Sequence, residues 1–209
     1  YYSFGQPRRE LSRSGKPSFR WPTPDNYEFF LSLGAIKNIA PKYFGDSIKF
    51  WNDVFDHPDY DDFWKARNPR PHLRNVKPAV LTVGGWFDAE DLFGALQTYK
   101  AIETQNPKTV KNHIVMGPWE HSQWIAGEAK NLGNIYWGMD ANKRFFEVEK
   151  SFFDHHLLSA ADPGTAEATM FVTGSNEWRE FTSWPPENTK LTRLYFHQGE
   201  IASFQPPSI

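Results

Sequence analysis

Val83-Gly84-Gly85-Trp86-Phe87-Asp88-Ala89-Glu90-Asp91 decides the fold, together with its downstream counterpart Met116-Gly117-Pro118-Trp119-Glu120-His121-Ser122. Each follows a short apolar run, Ala79-Val80-Leu81-Thr82-Val83 and His113-Ile114-Val115-Met116, with the length and continuity of a strand buried on both faces. Gly84-Gly85 is expected to stop the first strand and Gly117-Pro118 the second. Between them Leu92, Ala95, Leu96, Tyr99 and Ile102 fall on one face of a helix ending near Asn106-Pro107. Strand, helix and strand in this order make a βαβ unit of a mainly parallel sheet. Asp88 and His121 then stand just past two strand ends, at the carboxyl edge where open α/β sheets place their chemistry.

Upstream, residues 1–26 carry Pro7, Pro17, Pro22 and Pro24 among Ser, Arg and Gly, the composition of an extended connector. Helical spacing follows in Phe29, Phe30, Leu33 and Ile36, and again in Phe50, Trp51, Val54 and Phe55. A further short helix is expected after His57-Pro58-Asp59-Tyr60-Asp61-Asp62-Phe63-Trp64, and Asn68-Pro69-Arg70-Pro71 closes the block. A helical block ahead of a resumed sheet is the plan of a cap, so residues 1–75 are assigned to connector and cap and 76–160 to the α/β region. Downstream, a long helix runs from about Asp140 to Leu158, with Phe145, Val148 and Phe152 on one stripe, and Asp162-Pro163-Gly164 breaks it. Met170-Phe171-Val172-Thr173, Glu177-Trp178-Arg179 and Leu194-Tyr195-Phe196 are strand-like runs between turn residues, read as the opening of a β domain over 165–209.

The composition is 39% hydrophobic and 17% aromatic, which supplies ample core and argues against disorder. A net charge of -2 leaves no basic footprint, so nucleic acid and anionic membrane are dropped as partners. No run approaches the roughly 18 apolar residues of a membrane span. The start, Tyr1-Tyr2-Ser3-Phe4, has neither an initiator Met nor a signal-peptide plan, so the numbering is expected to begin inside a longer polypeptide. Without Cys there is no disulfide frame, thiol nucleophile or Cys-ligated zinc, and the redox compartment stays open.

A hydrolytic triad needs an imidazole to take the proton of a nucleophile and a carboxylate to fix the imidazole tautomer. Asp88 and His121 have the types and the chain order. From pattern alone the structural reading is the stronger: Asp88 caps the following helix and His121 is a loop histidine.

Gly84-Gly85-Trp86-Phe87-Asp88 with Gly117-Pro118-Trp119-Glu120-His121-Ser122 resembles the C-terminal part of the catalytic domain in the family of cocaine esterases, α-amino-acid ester hydrolases, glutaryl-7-aminocephalosporanic acid acylases and X-Pro dipeptidyl-peptidases. His57 to Trp64 resembles the end of that family's cap. Gly174-Ser175-Asn176-Glu177-Trp178-Arg179 with Trp184-Pro185-Pro186 resembles the start of its jelly roll. The resemblance implies an α/β fold: an α/β-hydrolase fragment with part of a helical cap and the start of a β jelly-roll domain. It implies catalytic roles for Asp88 and His121, a small ester, amide or short-peptide substrate, and no cofactor. A periplasmic or secreted location is a family-level expectation, and a homo-oligomer is left open.

The family's G-x-S-x-G nucleophile elbow is not found. Gly45-Asp46-Ser47-Ile48-Lys49 comes nearest, but lacks the closing Gly and falls in a helical region, so the serine is expected outside this chain and the chain alone is expected to be inactive. Glu90 and Asp91 suit a first helical turn near the positive end of the helix dipole. By resemblance to the α-amino-acid ester hydrolases they are instead part of an acidic cluster for a substrate ammonium, which needs such partners when desolvated. Trp86 and Trp119 either wall an acyl pocket or pack in the core. His155 and His156 point about 100° apart on a helix and cannot share a metal, and His57, His72 and His113 have no partner at a metal-site spacing, so no metal is expected. The alternatives are an X-Pro dipeptidyl-peptidase, a neutral-ester hydrolase, or, from another class, an aromatic-faced carbohydrate- or protein-binding module.

Overall fold

The computed structural model describes residues 22–207 except Ala126 and Glu200, and except the side chains of Phe44 and Ser47. The connector expected over residues 1–26 lies outside these residues as far as Trp21. The chain forms two compact units, Tyr1–Asn68 and Pro69–Ile209. The boundary comes before the expected residue 75 because the turn Arg70–His72 is tied into the second unit. Gln105 Nε2 donates to Arg70 O (2.9 Å), and Asn106 both donates to Leu73 O (2.8 Å) and accepts from Val76 N (2.9 Å).

The first unit is helical. Asp25 caps α1 (Asn26–Leu33) by accepting from Tyr27 N and Glu28 N, and Gly34, at φ +73°, ends it. Phe29 and Leu33, four residues apart, are buried with Ile39 and the half-buried Trp51 of α2 (Lys49–Asp56). The turn Gly45–Ser47 lies between a π-helical segment, Ala40–Phe44, and α2, so Ser47 is not on a strand-to-helix elbow. Asp61 caps α3 (Asp62–Lys65) through Phe63 N and Trp64 N.

The second unit is a mixed α/β sheet between two helices. Strand β1 (Val80–Gly85) runs parallel to β2 (Asn112–Gly117), with α4 (Leu92–Gln105) between them in sequence. After a small hairpin of β3 (Asn131–Leu132) and β4 (Ile135–Tyr136) comes α5 (Ala141–Leu158), capped by Asp140. Strand β5 (Ala168–Val172) then pairs parallel with β2, and β6 (Glu177–Phe181) antiparallel with β5, giving the order β1-β2-β5-β6. Residues 168–181 therefore extend the central sheet. Within 165–209, expected to open a β domain, Ala168, Met170 and Phe171 are buried, Ala168 and Met170 in the cluster around Ile114 and Met116. β7 (Tyr195–His197) and β8 (Ile201–Ser203) form a second hairpin outside the central sheet.

Alternation along the strands divides the core into two layers. Ile114 and Met116 pack with Tyr99, Leu92, Ala95 and Leu96 of α4. Val115, between them, faces the other way with Leu81 and Val83, against Phe145 and Val148 of α5.

Gly84 and Gly85 do not stop β1 but complete it. A Cβ on Gly84 would lie 2.7 Å from Ala95 Cβ, and one on Gly85 only 2.2 Å from Trp119 O. Glycine at both positions lets α4 and the loop after β2 approach the strand. Among the described residues no helix is long and apolar enough to cross a membrane.

Candidate active site

The parallel ladder continues past the strand ends. Trp86 N donates to Gly117 O (2.8 Å) and Phe87 N to Trp119 O (3.0 Å). These bonds zip the two loops together, so the residue after Phe87 meets the second residue after Trp119. His121 Nδ1 lies 3.2 Å from Asp88 Oδ2 and 3.3 Å from Oδ1. An Nδ1–H donating to this carboxylate leaves Nε2 as the basic nitrogen, the tautomer that a proton-abstracting histidine requires.

Asp88 also ties down the loop before α4, although the cap position of that helix belongs to Asp91. Asp88 Oδ1 accepts from Glu90 N (2.8 Å) and Asp91 N (2.9 Å). Burial pushes its carboxyl up, but the amides of Asp91 and Glu90 and the His121 contact together outweigh this and hold it below the ordinary carboxylate value. The side chain has no exposed surface, whereas that of His121 is 41% exposed. A fixed buried anion thus stands behind an accessible imidazole.

Two further carboxylates face the same ring: Asp91 Oδ2 at 3.6 Å from Nδ1 and Glu90 Oε2 at 4.0 Å from Nε2. Neither is in a first helical turn as expected. α4 begins at Leu92, with Asp91 at its cap position and no side-chain cap bond.

The profile of the X-Pro dipeptidyl-peptidase (S15) family matches residues 12–123, more than half of the chain. The chain belongs to this family. A cocaine esterase from Rhodococcus sp. (strain MB1 Bresler) is 30% identical over 189 residues, covering 82% of this chain and 31% of the relative. Among solved structures, an aminopeptidase from the marine sediment archaeon Thaumarchaeota archaeon is 31% identical with a TM-score of 0.81, over 92% of this chain and 32% of the other. A selenomethionine-labelled α-amino acid ester hydrolase is 29% identical with a TM-score of 0.82, over 99% and 34%. The chain thus spans about a third of the length of the relatives it matches.

In this S15 chain the tryptophans are framework. Trp119 has no exposed surface and is packed by Trp124, Phe145 and Trp178 at ring distances of 5.6 to 5.9 Å. The ring thus lies in the core of this structure. Trp86 turns toward the α4 layer and donates from Nε1 to Phe171 O (2.8 Å), tying its loop to β5. The exposed ring beside Asp88 is Phe87, backed by the buried Trp137 at 5.8 Å. Alternation past β1 would have found it, since Trp86 and Phe87 must point to opposite sides.

Asp88, Asp91 and His121 place three ligand-type atoms within 4.8 Å of one another, a grouping that sequence spacing does not reveal because it joins separate loops. Asp88 is already engaged by two amides and the imidazole, which suits an acid–base pair better than a metal cage. His57, read as unpartnered, instead bonds Asp61 Oδ2 through Nδ1 at 2.6 Å. His155 and His156 pack ring against ring at 4.6 Å, and burial, followed by the charges of His155 and His113, lowers the pKa of His156.

Proposed function

We propose that Asp88 and His121 are the acid and base of a Ser-His-Asp triad whose serine lies outside this chain, in a protein that hydrolyses esters or amides. The observation that carries this reading is the 3.2 Å contact between a wholly buried carboxylate and an accessible imidazole at the ends of adjacent parallel strands. His121 Nε2 takes the serine proton as the hydroxyl attacks the acyl carbonyl, then returns it to the leaving group. Asp88 keeps Nδ1–H oriented and stabilises the imidazolium; water then releases the acyl group by the same proton relay. The helical first unit is assigned to a cap, and the residues after Phe181 to the opening of a second β domain.

The substrate class we propose is an α-amino ester, amide or short peptide. Glu90 and Asp91 lie within 4.0 Å of the imidazole, with side chains 31% and 67% exposed, so both can meet an ammonium group beside the scissile bond. Two of the relatives, the aminopeptidase and the α-amino acid ester hydrolase, carry an amino group in their substrates by name. The test compares hydrolysis of an α-amino ester with its des-amino analogue by the full-length polypeptide. Preference for the amino ester should fall about tenfold or more in Glu90→Gln and Asp91→Asn, the scale of a lost charge-assisted hydrogen bond. Unchanged preference removes the ammonium site, and turnover that survives Asp88→Asn removes the triad.

A further inference from the structure

We propose that Gln123 is a positioning residue for His121, selecting which carboxylate its Nδ1 engages; the inference rests on the triad reading. His121 and Ser122 occupy the centre of a turn that Gln123 closes twice. Its backbone N donates to Glu120 O (3.1 Å), and its side-chain Oε1 accepts from Glu120 N (3.2 Å). The other end of the amide, Nε2, donates to Asn131 O (3.1 Å), so the side chain bridges the turn to the β3–β4 hairpin. Its own carbonyl accepts from Asn142 Nδ2 (3.1 Å), which also donates to Gly127 O (2.9 Å). Asn142 is fully buried in the first turn of α5, where Asp140 Oδ1 accepts from Asn142 N and from Ala129 N. A chain of hydrogen bonds through side-chain amides thus links a packed helix to Gln123 and Glu120, the residues that bracket His121 and Ser122.

The turn needs this restraint. Ser122 has φ +63°, a left-handed conformation that is unfavourable for a residue with a Cβ and persists only where neighbours over-determine it. The imidazole itself is 41% exposed, so packing does not set its direction, and two carboxylates compete for Nδ1, Asp88 at 3.2 Å and Asp91 at 3.6 Å. A small rotation of the turn exchanges a buried, fixed partner for a solvated one. Misplacements on this scale cost turnover without affecting substrate affinity.

The experiment uses the full-length polypeptide and a des-amino ester, so that any ammonium site is silent. Gln123→Leu removes both side-chain bonds and should lower kcat about tenfold with KM within about twofold. Adding Asp91→Asn removes the competing carboxylate and should restore most of that loss. Gln123→Glu keeps the acceptor for Glu120 N, folds if the Leu variant does not, and should fall between parent and Leu. Parent-like kcat in Gln123→Leu or Gln123→Glu overturns the inference, as does failure of Asp91→Asn to restore turnover. If Asp88→Asn abolishes turnover while the Gln123 variants match the parent, the triad stands and Gln123 is only structural. If Asp88→Asn retains turnover, the triad falls and the inference with it.

Discussion

Among the described residues, two Asp–His pairs are built on the same local plan, one in each compact unit. Asp61 accepts from the amides two and three residues ahead, Phe63 and Trp64, and from His57 Nδ1. Asp88 accepts from Glu90 and Asp91 at the same offsets and from His121 Nδ1. What differs is how each histidine arrives. His57 stands four residues before its partner and lies flat on the Phe63 ring at 4.2 Å, with Trp64 Nε1 donating to its carbonyl (2.6 Å). It is a clasp within one turn of chain. His121 arrives 33 residues after Asp88, from the next strand, and meets a carboxylate with no exposed surface, whereas that of Asp61 is 42% exposed. The closer contact belongs to the clasp, so hydrogen-bond length does not set the two pairs apart; delivery of His121 from a neighbouring strand end does.

The largest effect should separate the pairs by turnover. Asp88→Asn is expected to lower kcat of the full-length polypeptide by about ten-thousand-fold through loss of the correct imidazole tautomer, while Asp61→Asn leaves kcat within about twofold. Equal losses, measured on one ester, would erase the distinction. Next, Trp119→Ala empties the packed site beneath the second pair and should cost about 3–5 kcal/mol in denaturant unfolding, with no counterpart at the first pair. Gly85→Ala sets a methyl against Trp119 O and should cost about 1–3 kcal/mol and reduce kcat together, because it parts the loops that bring Asp88 to His121.

The smallest effect is in acid. Both carboxyls titrate below their ordinary value of about 3.9, Asp61 mainly through the His57 bond and Asp88 through amide bonds that outweigh its burial. A depressed folded-state value means stability that is present above the unfolded value and lost as pH falls through the folded one. Unfolding titrations should lose stability below about pH 4. Asp88→Asn and Asp61→Asn should each flatten that slope.

The βαβ unit and the long helix were legible because their apolar residues recur at strand and helix periods, and Asp88 and His121 because each follows a strand. Helical spacing also placed Phe29 and Leu33 correctly. The membership of β5 in the central sheet was not legible: Met170-Phe171-Val172 is as apolar as any strand, and only the burial of Ala168 and Met170 beside Ile114 and Met116 decides its neighbour. Trp119 was ambiguous because a ring next to a reactive residue looks the same in sequence whether it faces the cleft or the core. Gln123 gave no signal, since its work is done by hydrogen bonds to main-chain atoms of unrelated segments.

The backbone bond from Phe87 to the Trp119 carbonyl has a consequence for how the chain can vary in length. Because the meeting point is fixed by neighbouring strands in register, the stretch connecting them is free of that duty. Extra residues in the exposed segment beyond α4, around Pro107 to Thr109, should leave the acid and the imidazole where they are, whereas shifting either strand by a single position would pull them apart.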